Sequence, residues 1–340
     1  MTTEQIYDIA ARSAYPGPKG PAQVIETHIS WVLLAPTYAF KIKKPVRLSF
    51  LDFSTLEQRG YYCQQEVILN RRLAPELYLD VLAIQPDESG APAIGSYRPE
   101  APLLEYAVWM HRLDNSRQMD RLLTQNAVEH RDLEALARQL AQFHRKHVLT
   151  AADAPGETPD EYRADFEDLF ALEPTARQLF GNEASARFDA WRQQERQFIE
   201  AHQHRLDERA RNGFWVDGHG DLHARNIFLM PGGPVVFDCI EFSPHLRQLD
   251  VLNELAFLAM DLEARGHTPL AQAFMSAYQR HWPCIESAED ERIFHYFKTY
   301  RANVRLKIAL LQWAQEPAPE VEQTARQYWA LLQHYATAQI

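Results

Sequence analysis

Two carboxylates and one carboxamide suggest the chemistry open to this chain. In His219-Gly220-Asp221-Leu222-His223-Ala224-Arg225-Asn226, Asp221 and Asn226 stand five residues apart, and Asp238 follows the apolar run Val235-Val236-Phe237. Phosphoryl transfer needs a carboxylate to orient an attacking hydroxyl and hard oxygen ligands for magnesium, because its catalysis is mostly positioning and charge stabilisation. Asp221 meets the first demand. Asn226 and Asp238 meet the second, leaving room for nucleotide phosphates to complete the metal's shell. The same stretch has a rival reading, in which His219, Asp221 and His223 join a distant carboxylate in a zinc metallohydrolase. That reading leaves Asn226 and Asp238 unexplained.

These residues must be held by the elements around them. Residues 4–13 predict a short helix, stopped by Pro16-Gly17-Pro18. Residues 24–34 read as strand, turn and strand, and residues 38–45 as a further strand. Period-two alternation there puts Ala39, Lys41 and Lys43 on one face and Phe40 and Ile42 on the other. Such lysines either reach across the sheet surface or guard an edge strand against aggregation. Residues 54–73 predict a helix carrying Glu66 at mid-length, and 78–84 and 103–110 predict two more strands.

Beyond Leu113 the pattern turns helical. Helices are expected over 128–148, 184–211, 249–265, 268–282, 289–313 and 319–338, with a polar loop at 150–159 and an acidic amphipathic stretch at 161–168. His144 and His147 share a helix face at a spacing that can bind metal, but no third ligand stands nearby, so core or capping histidines are expected. His202 and His204 are expected on the surface. Lys298, Arg301 and Arg305 form a basic stripe, suited to pairing with acidic helices or to an anionic substrate group.

Composition narrows the classes. The chain has 340 residues, 46% hydrophobic and 24% charged, which is ordinary for globular protein of two lobes. Its net charge of -11 argues against a general nucleic-acid binder and is compatible with a cationic substrate. No apolar run reaches the length of a bilayer span, so no membrane partner is expected. The N-terminus lacks the features of a signal peptide, so a cytoplasmic location is expected. Cys63, Cys239 and Cys284 are scattered and read as buried thiols.

The segments His219 to Asn226, Phe237-Asp238 and Asp250-Val251-Leu252-Asn253-Glu254-Leu255-Ala256 resemble the aminoglycoside phosphotransferase and choline kinase-like branch of the protein-kinase fold. The N-terminal pattern and Tyr300-Arg301-Ala302-Asn303-Val304-Arg305 look like an uncharacterised bacterial group of that branch. The resemblance implies an α+β, bilobal protein kinase-like fold: an N-terminal extension over 1–20, a small β-rich N-lobe over 21–112 and a larger, mainly helical C-lobe over 113–340. It implies ATP (or GTP) and Mg2+ as cofactors and a hydroxyl-bearing small molecule as acceptor, such as an amino sugar or an aminoglycoside-like compound. A kinase-fold nucleotide-binding regulator and a nucleotidyl transferase are the alternatives.

By the same resemblance Asp221 is the catalytic base, and Asn226 and Asp238 are the magnesium ligands. His219 and Asp250 brace the catalytic loop, and Glu254 stands where the family usually has a second Asp. Lys41 is the phosphate-binding lysine, with Lys43 as the alternative and Glu66 orienting whichever serves. The backbone of Met110 to Arg112 would bond adenine. No Gly-rich phosphate loop exists; Thr27-His28-Ile29-Ser30 takes its place, with Ser30 as the nucleotide contact. Gly220 replaces the Arg of many protein kinases, which removes the usual partner of a phosphorylated activation loop. Cys239-Ile240-Glu241 replaces the Phe-Gly that follows the metal-binding Asp, and Glu241 is open to the metal or substrate shell.

Overall fold

The computed structural model describes residues 1–48, 51–150, 161, 167 and 169–338. The loop expected at 150–159 and the acidic stretch at 161–168 fall outside them, but for Thr150, Glu161 and Glu167. The chain divides into two compact units, one made of Met1–Gln118 with Val235–Leu246 and the other of Met119–Pro234 with Arg247–Ile340. The fold is α+β, with a β-rich first unit and a mainly helical second, as the resemblance implies.

Among the described residues, eight strands lie in the first unit's N-terminal segment: β1 Gln23–Glu26, β2 Ser30–Leu34, β3 Tyr38–Lys43, β4 Arg47–Leu48, β5 Leu51–Asp52, β6 Tyr78–Pro86, β7 Pro92–Gly95 and β8 Glu105–His111. Six of them form one antiparallel sheet in the order β1-β2-β3-β8-β6-β7. β3 is therefore central, with Lys41 opposite Val32 on one side and Val108 on the other. This excludes a solvated edge strand. Strand alternation separates two cores: Phe40 and Ile42 join Ile6, Ile9, Trp31 and Ile84 on the face covered by helix Thr3–Arg12, while Ala39 joins Cys63, Val67, Val108 and Met110 on the other.

Helix Leu56–Asn70 covers that second face. Thr55 caps it by accepting from the Gln58 N–H at 3.2 Å, and Gln58 returns the favour to the Thr55 N–H at 3.3 Å. Gly60 brings the helix onto β8, since a Cβ there would lie 2.5 Å from the Tyr106 ring. Strand β7 has no forecast in the sequence because its Pro and Gly read as turn punctuation. A proline is tolerated there because β7 is an edge strand.

In the second unit, helix Val251–Ala264 is buried along every face from Val251 to Leu262. Its Leu, Ala, Phe and Met content makes it a core helix rather than an amphipathic one. Helices Thr268–His281 and Ala288–Gln315 pack on it, and Pro319–Ala338 packs on the latter, burying Ala325, Tyr328, Trp329 and Leu332. Residues 249 and 250 extend a short strand, Gln248–Asp250, paired with Trp215–Asp217, so the helix begins two residues later than its apolar pattern suggests. His204 is exposed, whereas His202 is half-buried with Nδ1 2.7 Å from Glu289. Among the described residues no helix is long and apolar enough to cross a membrane.

Candidate active site

The loop around Asp221 is fixed mainly through its backbone. Glu254, fully buried, accepts the N–H of His219 at 2.6 Å and that of Gly220 at 2.9 Å. Arg301 Nη1 donates to the Gly220 carbonyl at 3.2 Å and Nε to Asn253 Oδ1 at 2.7 Å, with the guanidinium 4.7 Å from the Phe257 ring centre. Both sides of Gly220 are thus held, in a backbone of φ +83° that favours glycine. Gly218 is required by space, since a Cβ would meet Glu254 Oε1 at 2.9 Å. Downstream, Asp261 accepts the Ala224 N–H at 2.9 Å.

Within this frame the half-buried Asp221 carboxylate accepts from Asn226 Nδ2 at 3.0 Å, and the same amide bonds the Asp221 carbonyl at 3.0 Å. His223 Nε2 lies 3.4 Å from Asp221 Oδ2. Burial alone would raise the Asp221 pKa, but His223, Arg305 and His219 together hold it well below the usual carboxylate range. The Asn226 amide nitrogen is committed to Asp221, so its oxygen is the atom suited to a metal. His219 is buried, and its Nδ1 accepts the Asp221 N–H at 3.3 Å.

Asp250 does not take the expected bracing role. It caps helix Val251–Ala264 through the Leu252 N–H at 2.7 Å, which turns its carboxylate to Arg209 at 2.7 and 2.9 Å. Glu254, one helical turn on, faces the loop instead. His144 lies behind it, with Nε2 3.5 Å from Glu254 Oε1 and Nδ1 2.8 Å from the Tyr278 hydroxyl. His147 ends its own helix with Nδ1 2.7 Å from the Phe143 carbonyl. The basic stripe divides: Lys298 pairs with Glu263 at 2.9 Å, Arg301 holds the loop, and Arg305 Nε donates to the Tyr328 hydroxyl at 3.4 Å. Among the described residues, no three His, Cys, Asp or Glu side chains gather as a metal cage.

The first unit holds the other sequence-predicted residues. Lys41 Nζ is 2.9 Å from Glu66 Oε1 and 2.6 Å from Asp238 Oδ1. Lys43 Nζ is 2.7 Å from Glu66 Oε2 and also bonds Glu241. Burial would lower both lysine pKa values, yet the surrounding carboxylates, led by Asp238 for Lys41 and Glu241 for Lys43, raise them. The two ammoniums in turn hold Glu66 down at about 2 despite its burial. Asp238 adopts φ +65°, an uncommon conformation for a residue with a Cβ. Its N–H donates to the Tyr78 hydroxyl at 3.2 Å, and the next N–H, of Cys239, to Asn70 Oδ1 at 2.8 Å.

Two nucleotide-contact expectations meet a different geometry. Ser30 is 3% exposed, and its hydroxyl lies 3.0 Å from that of Thr27 in a closed turn, so it does not present itself to a phosphate. Met110 is buried in β8, and the N–H groups of His111 and Arg112 are committed to the Leu77 and Thr37 carbonyls at 2.9 and 2.8 Å. The sheet and its flanking turns have already used those donors. Sequence reasoning also missed the partners of the key acids: Glu254 on the loop, Tyr78 and Asn70 behind Asp238, and Lys43 for Glu241. Only the Glu254 position, four residues after Asp250, carried a usable signal.

The model of a family described as "Phosphotransferase enzyme family" matches residues 63–287. Uncharacterized protein Mb2027c of Mycobacterium bovis and Uncharacterized protein Rv2004c of Mycobacterium tuberculosis are each 32% identical over 320 residues, 93% of this chain. The chain spans 60% of the length of these curated relatives. Among solved structures, the Plasmodium vivax ethanolamine kinase superimposes with a TM-score of 0.54 at 12% identity, covering 94% of this chain and 84% of its own. A choline/ethanolamine kinase family protein from Mesorhizobium loti gives 0.53 at 16% identity, over 98% and 95%. The GDP complex of aminoglycoside 2'-phosphotransferase-IIIa gives 0.54 at 12% identity, over 100% of both chains. At such identities the likeness is one of fold, and the fold is kinase-like.

Proposed function

Since the chain belongs to the phosphotransferase enzyme family, we propose that it transfers the γ-phosphate of ATP or GTP to a hydroxyl of a small molecule, with Asp221 as the base. The supporting observation is the Asp221 carboxylate itself, aimed by Asn226 and His223 on a loop whose backbone Glu254 and Arg301 immobilise. A carboxylate of such low basicity orients the acceptor hydroxyl and takes its proton late. That suits a loose phosphoryl-transfer transition state, in which positioning outweighs deprotonation.

Lys41 is the phosphate ligand in this reading. Its side chain is 13% exposed against 1% for Lys43, and Glu66 Oε1 fixes its head. Magnesium would be held by the Asn226 side-chain oxygen and the Asp238 carboxylate, hard donors that fit it, and would neutralise phosphate charge when bound. The GDP held by the aminoglycoside phosphotransferase neighbour supports a nucleotide site and keeps GTP beside ATP. The acceptor belongs to the hydroxyl-bearing metabolites, amino sugars and aminoglycoside-like compounds included. A reaction that draws on nucleoside triphosphate would run in the cytoplasm.

The test is nucleotide consumption with Mg2+ across a panel of such acceptors, beside calorimetry of nucleotide binding. Asp221→Asn should lose about 10²–10⁴-fold in transfer while binding nucleotide as the parent does. Zinc binding without nucleotide binding would overturn the reading, and full transfer by Asp221→Asn would remove the base. Nucleotide binding with no transfer to any acceptor would favour a regulator.

A further inference from the structure

We propose that Lys43 and Glu241 are positioning residues for Asp238: a buried ion pair that keeps the metal-ligand segment in place and leaves Lys41 free for phosphate. This rests on the phosphotransferase reading. Lys43 is 1% exposed and its ammonium is fully engaged, by Glu66 Oε2 at 2.7 Å, by Glu241, and by the Phe53 ring, whose centre is 4.8 Å away. No face of it is presented to a ligand. Glu66 divides its two oxygens between the lysines, Oε1 to Lys41 at 2.9 Å and Oε2 to Lys43 at 2.7 Å, so Lys43 also fixes the carboxylate that aims Lys41.

Glu241 follows Asp238 by three residues, and the segment between them is pinned at each end. Asp238 holds φ +65° with its N–H on the Tyr78 hydroxyl at 3.2 Å. The Cys239 N–H reaches Asn70 Oδ1 at 2.8 Å, and Asn70 Nδ2 bonds the Glu66 carbonyl at 2.9 Å, tying the segment to the same helix turn as Glu66. Lys43 closes the far end through Glu241. The pair has a purpose once a nucleotide arrives. Lys41 Nζ now lies 2.6 Å from Asp238 Oδ1, and a lysine that turns to a phosphate weakens that contact. Asp238 then depends on Tyr78, Asn70 and the Lys43–Glu241 pair to stay where the metal needs it. Charge agrees: Lys41 and Lys43 against Glu66, Asp238 and Glu241 is two positive charges against three negative. Of the three acids only Asp238 is exposed, its side chain 41% accessible, and so open to a cation.

The experiment compares Lys43→Met/Glu241→Met, which removes both buried charges at similar volume, with Lys41→Met and the parent. Calorimetry measures ATP binding in EDTA and then across a Mg2+ titration. The double variant should bind metal-free ATP about threefold more weakly than the parent, because Glu66 loses one of its two anchors, but need about tenfold more Mg2+ for half-saturation, the size of effect expected when support behind a metal ligand is lost. Lys41→Met should weaken ATP binding in both conditions, and Lys43→Arg, which keeps the charge, should retain most of the parent's Mg2+ affinity. A folded double variant with the parent's Mg2+ requirement overturns the proposal, as does one that loses metal-free ATP binding like Lys41→Met. If the double variant does not fold, Glu241→Gln keeps an acceptor without the charge; it should raise the Mg2+ requirement about threefold, and no change would overturn the proposal. A parent that binds no nucleotide sinks the phosphotransferase reading and this proposal with it, whereas the other adverse results sink this proposal alone.

Discussion

Removing Glu254 should cost this protein more than removing any other single acid near Asp221. The carboxylate is fully buried and serves two backbone donors, the N–H groups of His219 at 2.6 Å and Gly220 at 2.9 Å. Glu254→Ala strands both in a buried site. Each buried donor left unmet costs about 1–3 kcal/mol, and the lost charge-assisted bonds with the small cavity bring the total to roughly 3–5 kcal/mol. Glu254→Gln should cost about 2–4 kcal/mol, because its one carbonyl oxygen can serve one N–H while its NH2 faces the other. Urea unfolding followed by far-UV circular dichroism measures the loss, with Trp215 fluorescence as a local probe, since that residue lies on the strand entering the loop. Amide hydrogen exchange of His219 and Gly220 reads the same bonds directly. A loss below about 1 kcal/mol in Glu254→Ala, with these amides still protected, would refute the bracing role.

Arg209→Met should destabilise by about 3–5 kcal/mol in the same urea assay, because Arg209 is fully buried and its loss leaves Asp250 and Asp290 short of their partner at 2.7–2.9 Å. A loss under 1 kcal/mol would show that water enters to replace the guanidinium. Stability should also fall in acid. Glu66 and Glu254 are each held at about 2 against an ordinary 4.5, the first by Lys41 and Lys43 and the second by His144 and His219, in both cases against burial. Their contribution is complete above pH 4.5, the unfolded value, and is lost as pH falls toward 2. Melting temperature by calorimetry should drop through that window, and a flat profile there would contradict both depressed values.

What could be read without coordinates was what the local chain constrains. The five-residue spacing of Asp221 and Asn226 lets the carboxamide return to the carboxylate, and in the structure it does so at 3.0 Å. Strand periodicity put Ala39, Lys41 and Lys43 on one face and Phe40 and Ile42 on the other, because a pleated strand permits nothing else. The order of a β-rich part before a helical one was legible from composition, and the resemblance named its fold.

Three matters needed tertiary structure, each because residues equivalent by sequence spacing differ in depth or direction. Lys41 and Lys43 share a face, so alternation cannot rank them; the different depths of their side chains and the two oxygens of Glu66 do. Asp250 and Glu254 lie one helical turn apart, and either could reach the loop on periodicity alone. Capping decided it, since a residue before the first turn directs its carboxylate back onto its own helix N–H groups and, here, onto Arg209. Ser30 looked available in a polar turn until that turn closed on Thr27. Sequence alone thus determined which chemical groups the chain owns and the period at which they recur. Tertiary structure decided which were occupied by one another, because hydrogen-bond capacity is finite and burial obliges most polar groups to use it.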